Sequence, residues 1–203
     1  LMRLDSAVFT GEFPLARIDF ADRALPVSVS LEAFTPFIPL EPDDSGLPAA
    51  ILRYRVKNSS AEARKVSIAF SLDNPVGTGE RRGAEWLSGA LNGLLFSNAA
   101  LAEDDVLRGT FVLGALKPAT YWRGWPKGRW WDAPLLFWDQ FSSAGELGPE
   151  PAARGSVGVV CITETIAAGK EAEFPFVLAW HFPNRTPQRI GWRAPKGEEK
   201  TLI

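Results

Sequence analysis

The sequence predicts an all-β domain: a large antiparallel β-sandwich with one or two short helices. Three observations carry this. Apolar and polar residues alternate with period two in several separate stretches. Sixteen prolines and eighteen glycines interrupt those stretches at short intervals. A helical pattern of any length is confined to one segment. Many short strands with frequent turns argue for packed sheets rather than a helical bundle or a strand-helix-strand fold.

The chain opens almost directly into a patterned segment. The first clear strand sets Val27, Val29, Leu31 and Ala33 against Ser28, Ser30 and Glu32. Leu52, Tyr54 and Val56 then alternate with Arg53, Arg55 and Lys57. After a polar turn at 58–62, Val66, Ile68, Phe70 and Leu72 alternate with Lys65, Ser67 and Ser71. Residues 50–72 therefore read as a β-hairpin with one wet face. A helical turn is expected over 84–88, with weaker strands near 92–97 and 109–116. Asp132 is placed to cap a short helix that has Pro134 in its first turn and Leu135, Phe137, Trp138 and Phe141 on its apolar surface. That helix should stop before Gly145. Residues 142–155 are rich in Gly, Pro, Ser and Ala and read as a loop inside one domain. Residues 156–166 are β-branched and almost continuously apolar, the pattern of a strand buried on both faces. A turn at 167–170 leads to Phe174, Phe176, Leu178, Trp180 and Phe182, which alternate with Pro175, Val177, Ala179 and His181. This pair reads as a second hairpin. Residues 1–203 form a single sandwich domain in this reading. Both ends have the look of cut points within a larger protein.

Composition narrows the function. Lys plus Arg number 22 and Asp plus Glu 24, so the basic excess of a nucleic-acid binder is missing. No apolar run approaches the roughly 18 residues of a membrane-spanning helix. No signal-peptide pattern is visible, and a cytoplasmic location is expected. The single cysteine, Cys161, excludes an internal disulfide and cysteine-based zinc sites. The single histidine, His181, removes most His-based metal and triad schemes. No cofactor and no metal are expected.

The candidate chemistry is sparse. Asp43 and Asp44 are adjacent, but Asp is a favoured turn residue. Glu32 and Glu164 sit in strands and should face solvent or a partner. Nothing marks a carboxylate pair held about 5–5.5 Å apart, as a retaining glycosidase requires. His181 lies opposite the aromatic stripe of its strand and lacks an identifiable nucleophile. Cys161 lies in an apolar strand and reads as a packing residue. Aromatic residues are concentrated at 121–131: Tyr121, Trp122, Trp125, Trp130 and Trp131, interspersed with Arg123, Lys127 and Arg129. Such a cluster suits a protein interface or core, where Trp, Tyr and Arg concentrate. That reading is preferred; the alternative is a platform on which sugar rings lie.

Several segments together resemble the N-terminal domain of glycoside hydrolase family 116, the family of non-lysosomal glucosylceramidases, or bile acid β-glucosidases, and bacterial β-glucosidases. They are the stretch Leu25 through Leu40 with its Pro36-Phe37-Ile38-Pro39, then Asp43-Asp44-Ser45-Gly46-Leu47-Pro48, then Asn74-Pro75-Val76-Gly77. Trp138-Asp139-Gln140-Phe141, Gly158-Val159-Val160-Cys161 and the run Phe176 through Arg185 match further on. The resemblance covers roughly residues 9–185. It implies a β-sandwich followed by an (α/α)6 catalytic barrel that hydrolyses β-glucosides with retention. The Glu nucleophile and Asp acid of that chemistry map onto no residue here, so this chain alone should be inactive. The implied partners are the catalytic (α/α)6 domain of the same polypeptide and a β-glucoside or glycolipid substrate. Candidates for the surface facing the barrel or the substrate entrance are Phe37, Asp43, Asp44, Trp180, His181, Asn184 and Arg185.

Overall fold

A computed structural model describes residues 3–79 and 82–202. It is an antiparallel β-sandwich, as the alternation predicts. Eleven strands form two sheets. They are β1 (Ser6–Glu12), β2 (Leu15–Ala21), β3 (Val27–Phe34), β4 (Ala49–Asn58), β5 (Arg64–Asp73), β6 (Arg82–Leu87), β7 (Asn92–Asn98), β8 (Thr110–Ala115), β9 (Thr120–Trp122), β10 (Val157–Ile166) and β11 (Glu171–His181). The large sheet has eight strands in the order β1-β2-β3-β4-β11-β8-β7-β6, and the small one has three, β5-β10-β9. The helices are α1 (Pro42–Ser45), α2 (Ala133–Ala144) and α3 (Pro187–Ile190).

The main core fills the space between the sheets. Val56, Leu94, Phe96, Leu113, Phe174 and Phe176 from the large sheet meet Val160 and Ile162 from β10. A second cluster lies on the far side of the small sheet, where Phe137 of α2 packs on Trp122, Val159 and Cys161. Strand β10 therefore points alternate residues into two cores, and its continuous apolar run follows from that. At Gly158 the two sheets approach closely. A methyl group there would sit 2.7 Å from Leu94 and 2.8 Å from Phe96.

Both expected hairpins need correction. The strands exist, but β4 pairs with β3 and β11, while β5 pairs with β10. Likewise β10 pairs with β5 and β9, while β11 pairs with β4 and β8. The turns at 59–63 and 167–170 are thus arches that carry the chain from one sheet to the other. Asn58 is the reason they stay there. It is fully buried, and its Nδ2 donates to Glu62 O at 2.7 Å and to Ile166 O at 2.9 Å. Its Oδ1 accepts from Ser60 N and Ser60 Oγ. Its backbone N donates to Lys170 O, and its carbonyl accepts from Gly169 N. One side chain therefore joins both arches.

Three further corrections concern local structure. Residues 84–88 are not a helical turn: β6 covers 84–87, with Ala84 and Trp86 packed against the core. Asp132 stands at the N-cap of α2, but its side chain makes no capping bond. The hairpin β1–β2 and the short β9 lie in stretches to which the sequence reading assigned no strand.

Asn58→Ala should lower the unfolding free energy by about 3 kcal/mol, because buried carbonyls lose their donors. Urea denaturation measures this. A loss below about 1 kcal/mol would mean that the arches hold each other without it.

Candidate functional site

The structure divides the expected site residues into two regions. The first is built from the loop at 36–48, the β1–β2 turn and the C-terminal end of β11. Trp180 N donates to Pro48 O at 3.0 Å, which ties the loop to β11. Ser45 Oγ accepts from Ile38 N and donates to Ile38 O, closing the loop on itself. Phe37 meets Phe13 edge-on, with ring centroids 5.0 Å apart. Around them Leu15, Ile38, Leu40 and Leu47 are exposed. Asp43 and Asp44 occupy the first turn of α1 and form no ion pair among the described residues.

Trp180, His181, Asn184 and Arg185 line a cleft of about 730 Å³ beside this loop, with Pro48 in the wall they share. Trp180 stacks on Phe111. Asn184 Nδ2 donates to the carbonyls of Glu103 and Asp105, so its side chain anchors a neighbouring loop. Phe13, Leu40 and Arg189 belong to this region but were not singled out from the sequence. Nothing in the spacing of Phe13 or Leu40 announces exposure, since isolated apolar residues in turns usually find cover.

The second region is the aromatic stretch, which the fold takes apart. Tyr121 and Trp122 are neighbours on β9 and point to opposite faces. Tyr121 stacks on Trp86 at 4.1 Å, against the inter-sheet core. Trp122 is fully buried in the outer cluster and donates its Nε1–H to Gly148 O at 2.9 Å. Trp125 stacks on Phe137 at 4.8 Å and donates to Ser71 Oγ. A platform of all five is therefore ruled out by burial. Only Trp130 and Trp131 offer bare rings, 95% and 59% exposed and packed edge-to-face at 5.5 Å.

Glu32, Glu164 and Glu150 are committed to ion pairs. Glu32 meets Arg53 at 2.7 Å and Arg55 at 3.6 Å. Glu164 pairs with Lys117. Glu150 receives hydrogen bonds from the Arg123 guanidinium and backbone, and the guanidinium bond is the main reason its carboxyl lies below the usual range. Cys161 is buried, and burial pushes its thiol up. A thiol so held is a poor nucleophile. Among the described residues no group of three or more His, Cys, Asp or Glu side chains could hold a metal ion. Among them too, no helix is long and apolar enough to cross a membrane.

These features define an antiparallel β-sandwich domain with an exposed apolar loop region and a neighbouring cleft. The particular family follows from direct comparison. The family described as "beta-glucosidase 2, glycosyl-hydrolase family 116 N-term" matches residues 2–193, and the chain belongs to it. A solved structure provisionally named kojibiose phosphorylase, from the human microbiome, is similar at 12% identity with a TM-score of 0.43. The match covers 82% of this chain and 18% of that protein.

Two contrasts test these placements. Trp122→Phe should cost about 2–3 kcal/mol through a lost buried hydrogen bond and a cavity. Trp130→Gly should leave stability unchanged or raise it, because the residue is bare and has a left-handed backbone with φ 55°. Thermal unfolding of both variants separates core from surface. Arg123→Ala tests the Glu150 pair. A lowered native carboxyl contributes stability above the ordinary carboxylate range and loses it as pH falls through the native value. The variant should therefore be less stable than the parent at neutral pH, with the gap closing in acid. Denaturation at the two pH values checks the sign.

Proposed function

We propose that this domain is the non-catalytic support of a β-glucoside-cleaving catalytic domain in the same polypeptide, an (α/α)6 barrel that covers the loop at 36–48. The observation that carries this reading is a coincidence of strain and exposure. Two described residues other than glycine have left-handed backbones, Leu40 at φ 69° and Trp130 at φ 55°. They are also the two barest large apolar side chains, 99% and 95% exposed. A left-handed backbone costs a residue with a Cβ roughly 1–2 kcal/mol. Holding such a residue in that state and showing it to water gains the isolated domain nothing. Covering it with a partner recovers apolar burial. Near Leu40 in sequence, Phe37 and Ile38 of the same loop are exposed, and Phe37 meets the exposed Phe13 edge-on. Family membership supports the identity of the partner. On this reading Asp43, Asp44 and the Trp180–Arg185 strand end lie at the rim of the interface, beside the substrate entrance. A glucosylceramide-like or bile acid glucoside is one form the substrate takes within this reading.

The test uses this chain and the separately produced catalytic domain. They should associate in calorimetry, and Phe37→Asp with Leu40→Asp should weaken association by tenfold or more. The chain alone should not turn over an aryl β-glucoside. Failure to associate, or turnover that scales with the amount of this chain, overturns the proposal.

A second reading rests on the bare Trp130–Trp131 pair, which has the open aromatic faces that sugar rings stack on. Titrating soluble glucosides while following tryptophan fluorescence decides it: a change lost in Trp130→Gly supports the reading, and no change at millimolar sugar removes it.

A further inference from the structure

We infer that the cleft at the end of β11 binds a small organic oxyanion, a carboxylate or phosphate ester carried on an apolar body. This stands apart from the docking proposal, since it concerns the chain by itself.

The first argument is charge. Arg185 and Arg189 both line the cleft, and His181 lies on the same wall. A shallower hollow adjoins it, shares Arg189 and adds Lys200. Among the described residues, Arg185 and Arg189 have no ion-pair partner, and Lys200 acts on the carboxylate of neighbouring Glu199 without a close ion pair. Elsewhere Arg17, Arg53, Arg55, Arg64, Arg82, Arg123 and Arg154 each reach a carboxylate, while Arg3, Arg23, Arg108, Arg129 and Arg193 form no ion pair among the described residues; what sets the cleft apart is that its two arginines share one concave surface. Acidic residues stand nearby on the loop that Asn184 anchors, but Glu103, Asp104 and Asp105 do not line the cleft. Asp105 Oδ1 instead accepts from Leu107 N at 2.7 Å. Like charges gathered in a concave surface focus a positive potential there. The planar guanidinium suits carboxylate and phosphate oxygens in particular.

The second argument is shape and rigidity. A volume of about 730 Å³ lies within the usual range of small-ligand sites. Trp180, Phe182 and Ile190 give it apolar walls. Trp180 is held by its stacking on Phe111 and its bond to Pro48. Thr186 is buried, and its hydroxyl accepts from Arg189 N at 3.3 Å, which fixes the backbone that carries one cation. A neutral glucoside would leave both arginines unmatched, and a bare inorganic ion would leave the apolar walls wet. An anion with an apolar body uses both.

Calorimetry on the 203-residue chain tests this with phenyl phosphate, benzoate, inorganic phosphate and phenyl β-glucoside. At least one of the two aromatic anions should bind about tenfold tighter than inorganic phosphate and the neutral glucoside, and which one binds names the head group. Arg185→Ala with Arg189→Ala should weaken that binding about tenfold or more without moving Tm, since both residues are exposed. Trp180→Ala should weaken the aromatic anion but not inorganic phosphate. The inference falls if neither aromatic anion binds at millimolar concentration. It also falls if the double variant binds like the parent, or if the neutral glucoside binds as well as the anions.

Discussion

The buried side chain of Asn58 is the constraint on which the two-sheet arrangement depends. A sandwich whose strands change sheets at each arch must turn the backbone through its own edge, where ladder hydrogen bonds stop. Backbone groups left there would be buried and unpaired. Asn58 has two donors and an acceptor on one rigid amide, and all are used between the two arches. Asn74 does the same at the opposite end, donating to Gly83 O and Ser97 O while accepting from Val76 N. Asn98 adds bonds to Val76 O and Thr78 O. Asparagine suits these places because it caps several backbone groups without bringing a charge into the core. Aspartate would offer no donor, and leucine would leave every carbonyl bare.

With the arches fixed, the unequal sheet widths follow, and so does the bare surface. Seven strand spacings separate the outer strands of the large sheet, roughly 34 Å, against roughly 10 Å for the small one. Strand β10 lies across β7, β8 and β11, so the overhang falls at β1 and β2. Every residue of β1 is exposed, including Val8 and Phe9. An edge ribbon whose outer strand has one charge, Glu12 at its end, and apolar side chains on both faces invites pairing with another chain. The ribbon continues through Phe13 into the loop that displays Leu40, so overhang and loop form one uncovered region.

Much of this was legible in the alternation of residues, and the parts that were not have identifiable causes. Period two places a residue on one face or the other, but it does not say which strand lies alongside. A polar turn of five residues serves a hairpin and an inter-sheet arch equally well. What distinguishes them here is a buried Asn58, and burial of a polar residue has no signature in one sequence. Strand β10 is readable because a strand apolar at consecutive positions, as at Val159 to Ile162, must have cover on both faces. The aromatic stretch misled as a composition and was decodable as a register: Tyr121 lies opposite Val160, and Trp122 opposite Val159. Since those two valines face different cores, the two aromatic rings had to part. Trp130 and Trp131 lie beyond the strand, where no periodicity governs them.

The outer face of the large sheet contrasts with the loop at 36–48 in how its charges are arranged. Arg17, Glu32 and Arg53 stand opposite one another on β2, β3 and β4, and Arg55 reaches Glu173 on β11. This ladder alternates in sign across four strands and pairs its charges in place, although Arg53 Nε and Arg55 Nε are buried without a hydrogen-bond partner. Such pairs add little stability while wet, and covering them would cost desolvation that no new contact is positioned to repay. The loop at 36–48 is the reverse case, since Leu40 already bears backbone strain and full hydration. Covering it removes apolar surface from water and desolvates no ion pair among the described residues. The charged face thus has its ion pairs in place, whereas apolar surface stays exposed near the corner where Pro48 meets Trp180, beside which the cleft also opens.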